Sequence, residues 1–210
     1  MKKILFISAI LAAPMANCAP VPQAPTLQTY MSIYHGRMNA QIVKGKTVVI
    51  LGDSISQAWL TDNYERGTTA NFAVGGSTTA DVLYKIDHTD VCKAGKVQLM
   101  AGINDIYQKK YRQLANNTRT IAQKINCAKV TWLGVMHPTA PKFDASMHQE
   151  IDLINDRIKS ACKSMRSCTY VAPVSLFGAD YLPDGLHPSA LGYAKMNKNI
   201  IQAHLKIRGY

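Results

Sequence analysis

The sequence predicts an α/β protein, a three-layer α/β/α sandwich built on a five-stranded parallel sheet. Three observations carry that prediction. Apolar, β-branched runs without polar alternation, led by Thr47-Val48-Val49-Ile50-Leu51, suit strands covered on both faces. Five such runs alternate with segments of helical periodicity. Several runs stop at a glycine followed by polar residues, and right-handed crossovers bring the carboxyl ends of parallel strands, where ligands bind, to one rim.

Taken in order, Leu27, Tyr30, Met31, Tyr34 and Met38 fall at three- and four-residue steps, which predicts an amphipathic helix over 26–40 lying on the sheet. Lys44-Gly45-Lys46-Thr47 superficially resembles the end of a phosphate-binding loop. The preceding glycine that such a loop needs is Ala40, so a nucleotide site is rejected. The first strand stops at Gly52-Asp53-Ser54, and residues 55–60 continue as a helix whose first amides can face an anion. Alone, Asp53-Ser54 reads equally well as a turn and helix N-cap. A second strand over 69–74 closes on Gly75-Gly76-Ser77-Thr78-Thr79, with Thr79 capping a helix that carries Val82, Leu83 and Ile86. The third strand, 96–101, ends in Gly102-Ile103-Asn104-Asp105 ahead of a helix with Leu114, Ile121 and Ile125 on one face. A fourth strand over 128–135 runs into Met136-His137-Pro138-Thr139-Ala140-Pro141, which can extend neither strand nor helix and forms a loop on the same rim. Ser146 and Gln149 resemble a capping box for a helix bearing Ile151, Ile154 and Ile158. A fifth strand over 169–173, a turn-rich segment over 181–188 and a last helix capped by Ser189, with Tyr193, Met196 and Ile200 inward, complete the chain.

A chain of 210 residues, 47% hydrophobic and 18% charged, fits one domain with a proper core and excludes global disorder. The net charge of +11 is spread along the chain, with no arginine-rich block and no basic stripe interleaved with aromatics. Nucleic-acid binding is therefore not expected; attraction to anionic envelope surfaces or polyanionic substrates fits, and a merely basic solvated surface is the simpler account. Lys2-Lys3 followed by the short apolar run 4–13 has the form of a secretory signal and is too short to span a bilayer comfortably. The expected organisation is a signal peptide over 1–16, a proline-rich spacer over 17–25 and one folded domain over 26–210. Cleavage after Ala13 is the alternative to cleavage after Ala16. The expected location is periplasmic or secreted, and lipid anchoring at Cys18 is a lesser alternative because Asn17 stands where a lipoprotein site favours a small residue. Export permits disulfides. Cys92 and Cys127 each precede a strand and Cys162 and Cys168 bracket a turn, so two bridges fit this placement with Cys18 left over, although four cysteines allow three pairings. Oligomeric state is not readable from the sequence.

Four short signals thus share one rim: Ser54, Gly76, Asn104, and Asp184 with His187. Here the chain resembles the SGNH hydrolases, also called GDSL esterases, over nearly the whole mature domain. Gly52-Asp53-Ser54 matches the nucleophile block, Gly75-Gly76 the glycine block, Gly102-Ile103-Asn104-Asp105 the asparagine block and Asp184-Gly185-Leu186-His187 the terminal acid-base block. Ile55 departs conservatively from the family's leucine. The resemblance implies a flavodoxin-like SGNH hydrolase fold and metal-free, cofactor-free ester hydrolysis on small-molecule, lipid or glycan esters.

The residue types fit that chemistry independently. A serine hydroxyl is a weak nucleophile without a base to take its proton. An imidazole such as His187 suits that task, and Asp184, three residues earlier, can hold its productive tautomer. By resemblance, the donors to the tetrahedral oxyanion are the backbone amides of Ser54 and Gly76 and the side chain of Asn104. Asn71, matched to the asparagine that commonly precedes the glycine block, selects Gly76, with Gly75 as the fallback. Taken singly, each signal has a bland reading as turn, helix entry or loop histidine. No metal-ligand spacing and no Gly-x-Ser-x-Gly elbow occurs. His137, on the rim loop, is a candidate substrate contact; His35, His88, His148 and His204 lack partners by spacing and read as surface or packing residues. The expected activity is an acyl-enzyme esterase acting on short-chain esters or lysophospholipid-type esters. A glycan O-acetylesterase is the alternative, and a binding or envelope-attachment protein on the same scaffold is the non-enzymatic one.

Overall fold

A computed structural model describes residues 36, 39–42, 44–45, 47–59 and 68–207. The expected signal peptide, the spacer with Cys18, and His35 lie outside the described residues. So does most of the helix expected over 26–40, of which residues 36 and 39–41 are helical.

The chain runs β1 (Thr47–Gly52), α1 (Ser54–Gln57), β2 (Thr68–Asn71), α2 (Thr79–Asp87), a 3-10 turn (Val91–Lys93), β3 (Lys96–Met100), α3 (Ile103–Tyr107), α4 (Tyr111–Ile125), β4 (Val130–Leu133), α5 (Ala145–Ser164), β5 (Cys168–Val171), a second 3-10 turn (Gly178–Asp180) and α6 (Ala190–Ile207). The five strands form one parallel sheet in the order β2-β1-β3-β4-β5. Because β1 leads outward to β2 and β3 returns on its other side, the order reverses between β1 and β3, and right-handed connections then place helices on both faces. Every residue of β1 is buried, which explains why its run shows no polar alternation. Helix α4 turns Leu114, Ile121 and Ile125 inward and α5 turns Ile151, Ile154 and Ile158 inward, as their spacing requires. Among the described residues, no helix is long and apolar enough to cross a membrane.

The strands after β1 are shorter than their apolar runs. Past Asn71 the backbone still pairs with β1, through Phe72 N to Ile50 O at 2.8 Å, but Asn71 Oδ1 also takes the amide of Ala73 at 3.0 Å and turns the chain out of the ladder. β5 stops before Pro173, which has no N–H to donate. Two caps differ from expectation. α2 is capped by Thr78, whose amide donates to Asp81 at 2.8 Å, because Thr79 gives both its amide and its hydroxyl to the buried Asp105 at 2.8 and 2.7 Å. α5 is capped by Asp144, which accepts from Met147 N at 2.9 Å and from the Ser146 hydroxyl at 2.6 Å, so Ser146 is not the cap. Disulfides join Cys92 to Cys127 and Cys162 to Cys168.

Candidate active site

Ser54 is the first residue of α1, two residues beyond the end of β1. The turn that delivers it depends on Gly52, whose φ of +152° suits glycine, and where a Cβ would collide with the Met100 carbonyl and the Ser56 side chain. Asp53 caps α1 by accepting from Ile55 N at 3.0 Å. Burial of that carboxyl, which is 1% exposed, pushes it up to about 6, even though backbone amides and the nearby His187 pull the other way.

The segment between β5 and α6 folds back over this strand end. Asp184 accepts through Oδ1 from the amides of Leu186 and His187, both at 2.9 Å, and through Oδ2 meets His187 Nδ1 at 2.5 Å. His187 Nε2 lies 2.9 Å from Ser54 Oγ. Chiefly through the His187 ring, with the His187 and Leu186 amides adding to it, Asp184 is held down at about 2. The turn is anchored by Leu182 N donating to His187 O at 2.8 Å, and by Thr139 N and Ala140 N donating to Gly185 O at 2.8 and 3.1 Å. The loop after β4 thereby clamps the acid-base turn.

The glycine and asparagine blocks arrive from the neighbouring strand ends. Gly75 N is occupied, donating to Gln57 Oε1 at 2.7 Å. Gly76, at φ +76°, gives its amide to no acceptor among the described residues. Asn104, on α3, donates one of its two amide hydrogens to Ser77 O at 3.0 Å, leaving the second free. Ser54, Gly76, Asn104, Asp184 and His187 thus gather around the reversal point of the sheet. The His187 and Asp184 side chains keep 31% and 48% of their surface exposed, so the site is open to solvent.

His137 is placed differently. Its ring nitrogens meet His148 Nδ1 and Asp152 Oδ1 of α5, both at 3.0 Å, and its carbonyl accepts from the Tyr181 hydroxyl at 2.7 Å. His148 therefore has a partner that spacing did not reveal; so does His88, whose Nδ1 meets Tyr84 O at 2.7 Å. Sequence reasoning also passed over Gln57, although a polar residue three positions after Ser54 lies on the same helix face. Tyr193, expected from its spacing only as an inward residue, donates its hydroxyl to Ile55 O at 2.9 Å beside Ser54, and burial near Asp53 pushes it up to about 12. Among the described residues, no group of three His, Cys, Asp or Glu side chains is arranged to hold a metal ion.

Fold and site together define a class: an α/β/α hydrolase with serine, histidine and aspartate joined by hydrogen bonds at the strand ends. Residues 50–195 match the GDSL-like Lipase/Acylhydrolase family, and the chain belongs to that family of ester hydrolases. Solved structures share the fold. A Streptococcus pneumonia protein provisionally described as a platelet activating factor superposes with a TM-score of 0.67 at 19% identity, over 83% of this chain and 91% of its own. A GDSL-like lipase from Bacteroides thetaiotaomicron gives 0.64 at 21% identity, over 84% and 98%. The acetylxylan esterase Axe2 from Geobacillus stearothermophilus gives 0.60 at 16% identity, over 78% and 95%. No curated protein matches the chain in sequence.

Proposed function

We propose that the protein is an exported serine esterase that forms an acyl-enzyme on Ser54. The observation that carries this reading is the continuous contact from Ser54 Oγ to His187 Nε2 at 2.9 Å and from His187 Nδ1 to Asp184 at 2.5 Å. In the first step Ser54 Oγ attacks the ester carbonyl carbon while its proton passes to His187 Nε2. Asp184, held ionised, keeps Nδ1 protonated and Nε2 free to accept. The tetrahedral oxyanion is met by the amides of Ser54 and Gly76 and the free amide hydrogen of Asn104. Collapse breaks the bond to the leaving alkoxide, which takes the proton from His187. Water then repeats the sequence on the acyl-enzyme, releasing the acid and restoring Ser54.

Short-chain esters and lysophospholipid-type acyl esters are the proposed substrates. The exposure of Asp184 and His187 favours a second reading, a glycan O-acetylesterase, because an open triad admits a bulky alcohol. One neighbouring fold is that of an acetylxylan esterase. The deciding experiment is hydrolysis of p-nitrophenyl esters from two to twelve carbons by the wild type, Ser54→Ala and His187→Ala. Loss of about six orders of magnitude in kcat is expected for each variant. A variant that keeps wild-type turnover overturns the assignment. A profile confined to acetate, with acetate released from acetylated xylan and no fatty acid from lysophosphatidylcholine, selects the glycan reading.

Export is supported by the two disulfides, which form and persist in oxidising compartments, and by the signal-like residues 1–16. Mass spectrometry of the protein from its host should show a mature N-terminus near residue 17 without an acyl chain. An intact Met1 overturns export, and an acylated Cys18 moves the protein to a lipid anchor.

A further inference from the structure

Lys85 lies on α2 with its side chain turned inward and only 3% of the residue exposed. A buried ammonium costs several kcal/mol unless its surroundings compensate. Among the described residues, no carboxylate forms an ion pair with it. Its nearest acceptor is the hydroxyl of Ser77, 3.0 Å from Nζ. Asp81 and Asp53 favour the charge from a distance, while burial pulls the ammonium down to about 8, so it stays mostly protonated at neutral pH. Asp81 is itself engaged by the amide and hydroxyl of Thr78 at 2.8 and 2.7 Å.

Ser77 links this cation to the reacting centre. It follows Gly76 directly, its own amide donates to Val74 O at 3.1 Å, and its carbonyl accepts the Asn104 side chain at 3.0 Å. Residues 72–78 form neither strand nor helix; backbone bonds from Phe72, Val74 and Ser77 hold the loop, and side-chain ties at Gly75 and Ser77 add to them on either side of Gly76. Gln57 holds the loop at Gly75, and Lys85 holds it from beneath at Ser77.

We propose that Lys85 is a positioning residue for two of the oxyanion donors: its ammonium fixes Ser77, which orients the Asn104 carboxamide and the adjoining Gly76 amide. The inference rests on the acyl-transfer reading above. Oxyanion donors act in the transition state more than in the ground state, so loosening them lowers kcat and leaves KM nearly unchanged.

The test compares Lys85→Met, which removes charge and donor, with Lys85→Gln, which keeps a donor without the charge. Hydrolysis of p-nitrophenyl acetate is measured beside thermal midpoints and the side-chain amide resonances of Asn104. The expected result is a fall in kcat of about 10- to 100-fold for Lys85→Met with KM within about twofold, and partial recovery in Lys85→Gln. Displaced Asn104 resonances are expected in both variants. Should Lys85→Met not fold, the Gln variant carries the comparison alone. A lowered thermal midpoint with wild-type kcat and unmoved Asn104 resonances overturns the proposal, because that describes a lysine needed only for stability. If the wild type hydrolyses no ester, the acyl-transfer reading fails by itself; the Asn104 resonances still decide whether Lys85 governs that side chain.

Discussion

Asp53 stands beside Ser54, and its motif says nothing of its charge state, which burial decides. Its carboxyl sits at about 6 in the folded protein against an ordinary value of 3.8. The native state therefore binds this proton more tightly than the unfolded chain, so the contribution of Asp53 to stability is greatest below about pH 4 and is lost as pH rises through about 6. The full swing is on the order of 3 kcal/mol. Urea unfolding of the wild type and Asp53→Asn at pH 4 and pH 7.5 checks it. The variant should gain on the wild type by roughly that amount between the two pH values; a constant difference refutes the assignment. At this scale the proposed nucleophile Ser54, the Asp184–His187 pair, Gly76 and Asn104 stand out in the sequence as short blocks. Gln57 and Lys85 do not, because Gln57 meets Gly75 across 18 residues and Lys85 finds Ser77 only after α2 has folded onto the sheet.

Among the elements, the strand ends lead into the proposed site and the strand beginnings carry the staples. Cys92 and Cys127 precede β3 and β4, and Cys162 and Cys168 lie at the end of α5 and the start of β5, all at the sheet edge opposite Ser54. The first bridge spans 35 residues and the second 6, which in the chain-entropy account are worth about 4 and about 2 kcal/mol. Replacing Cys92 and Cys127 by alanine should lower unfolding stability by several kcal/mol while kcat stays within about twofold, as chemical denaturation and ester kinetics would show. A large loss of kcat in the folded variant would contradict this separation of edges. At the edge that carries Ser54, the buried Asn155 of α5 instead ties down the segment just past β4, accepting from Val135 N at 2.7 Å and donating to Val135 O at 2.9 Å. Element type was readable from periodicity, but cap identity was not. Thr79 and Ser146 are good capping residues by type, but Asp105 engages Thr79 so that Thr78 caps α2, and Asp144 takes the cap of α5 and accepts from Ser146.

In the whole molecule, the β2-β1-β3-β4-β5 order puts the reversal point between β1 and β3, so Ser54 and Asn104 leave adjacent strands on opposite sides of one crevice. The terminal segment then closes over it to deliver His187. The sequence by itself determined the alternation of strands and helices, because side-chain periodicity and backbone sterics are local. It also determined the Asp184–His187 unit, whose members are three residues apart and find each other within one turn. Only the tertiary structure decided that His187 meets Ser54 across 133 residues, that Gly75 is occupied so that Gly76 keeps the free amide, and that His137 turns its ring to α5. Each of those outcomes depends on which distant segments pack together, and that is set by burial of the shared core, which no local pattern encodes.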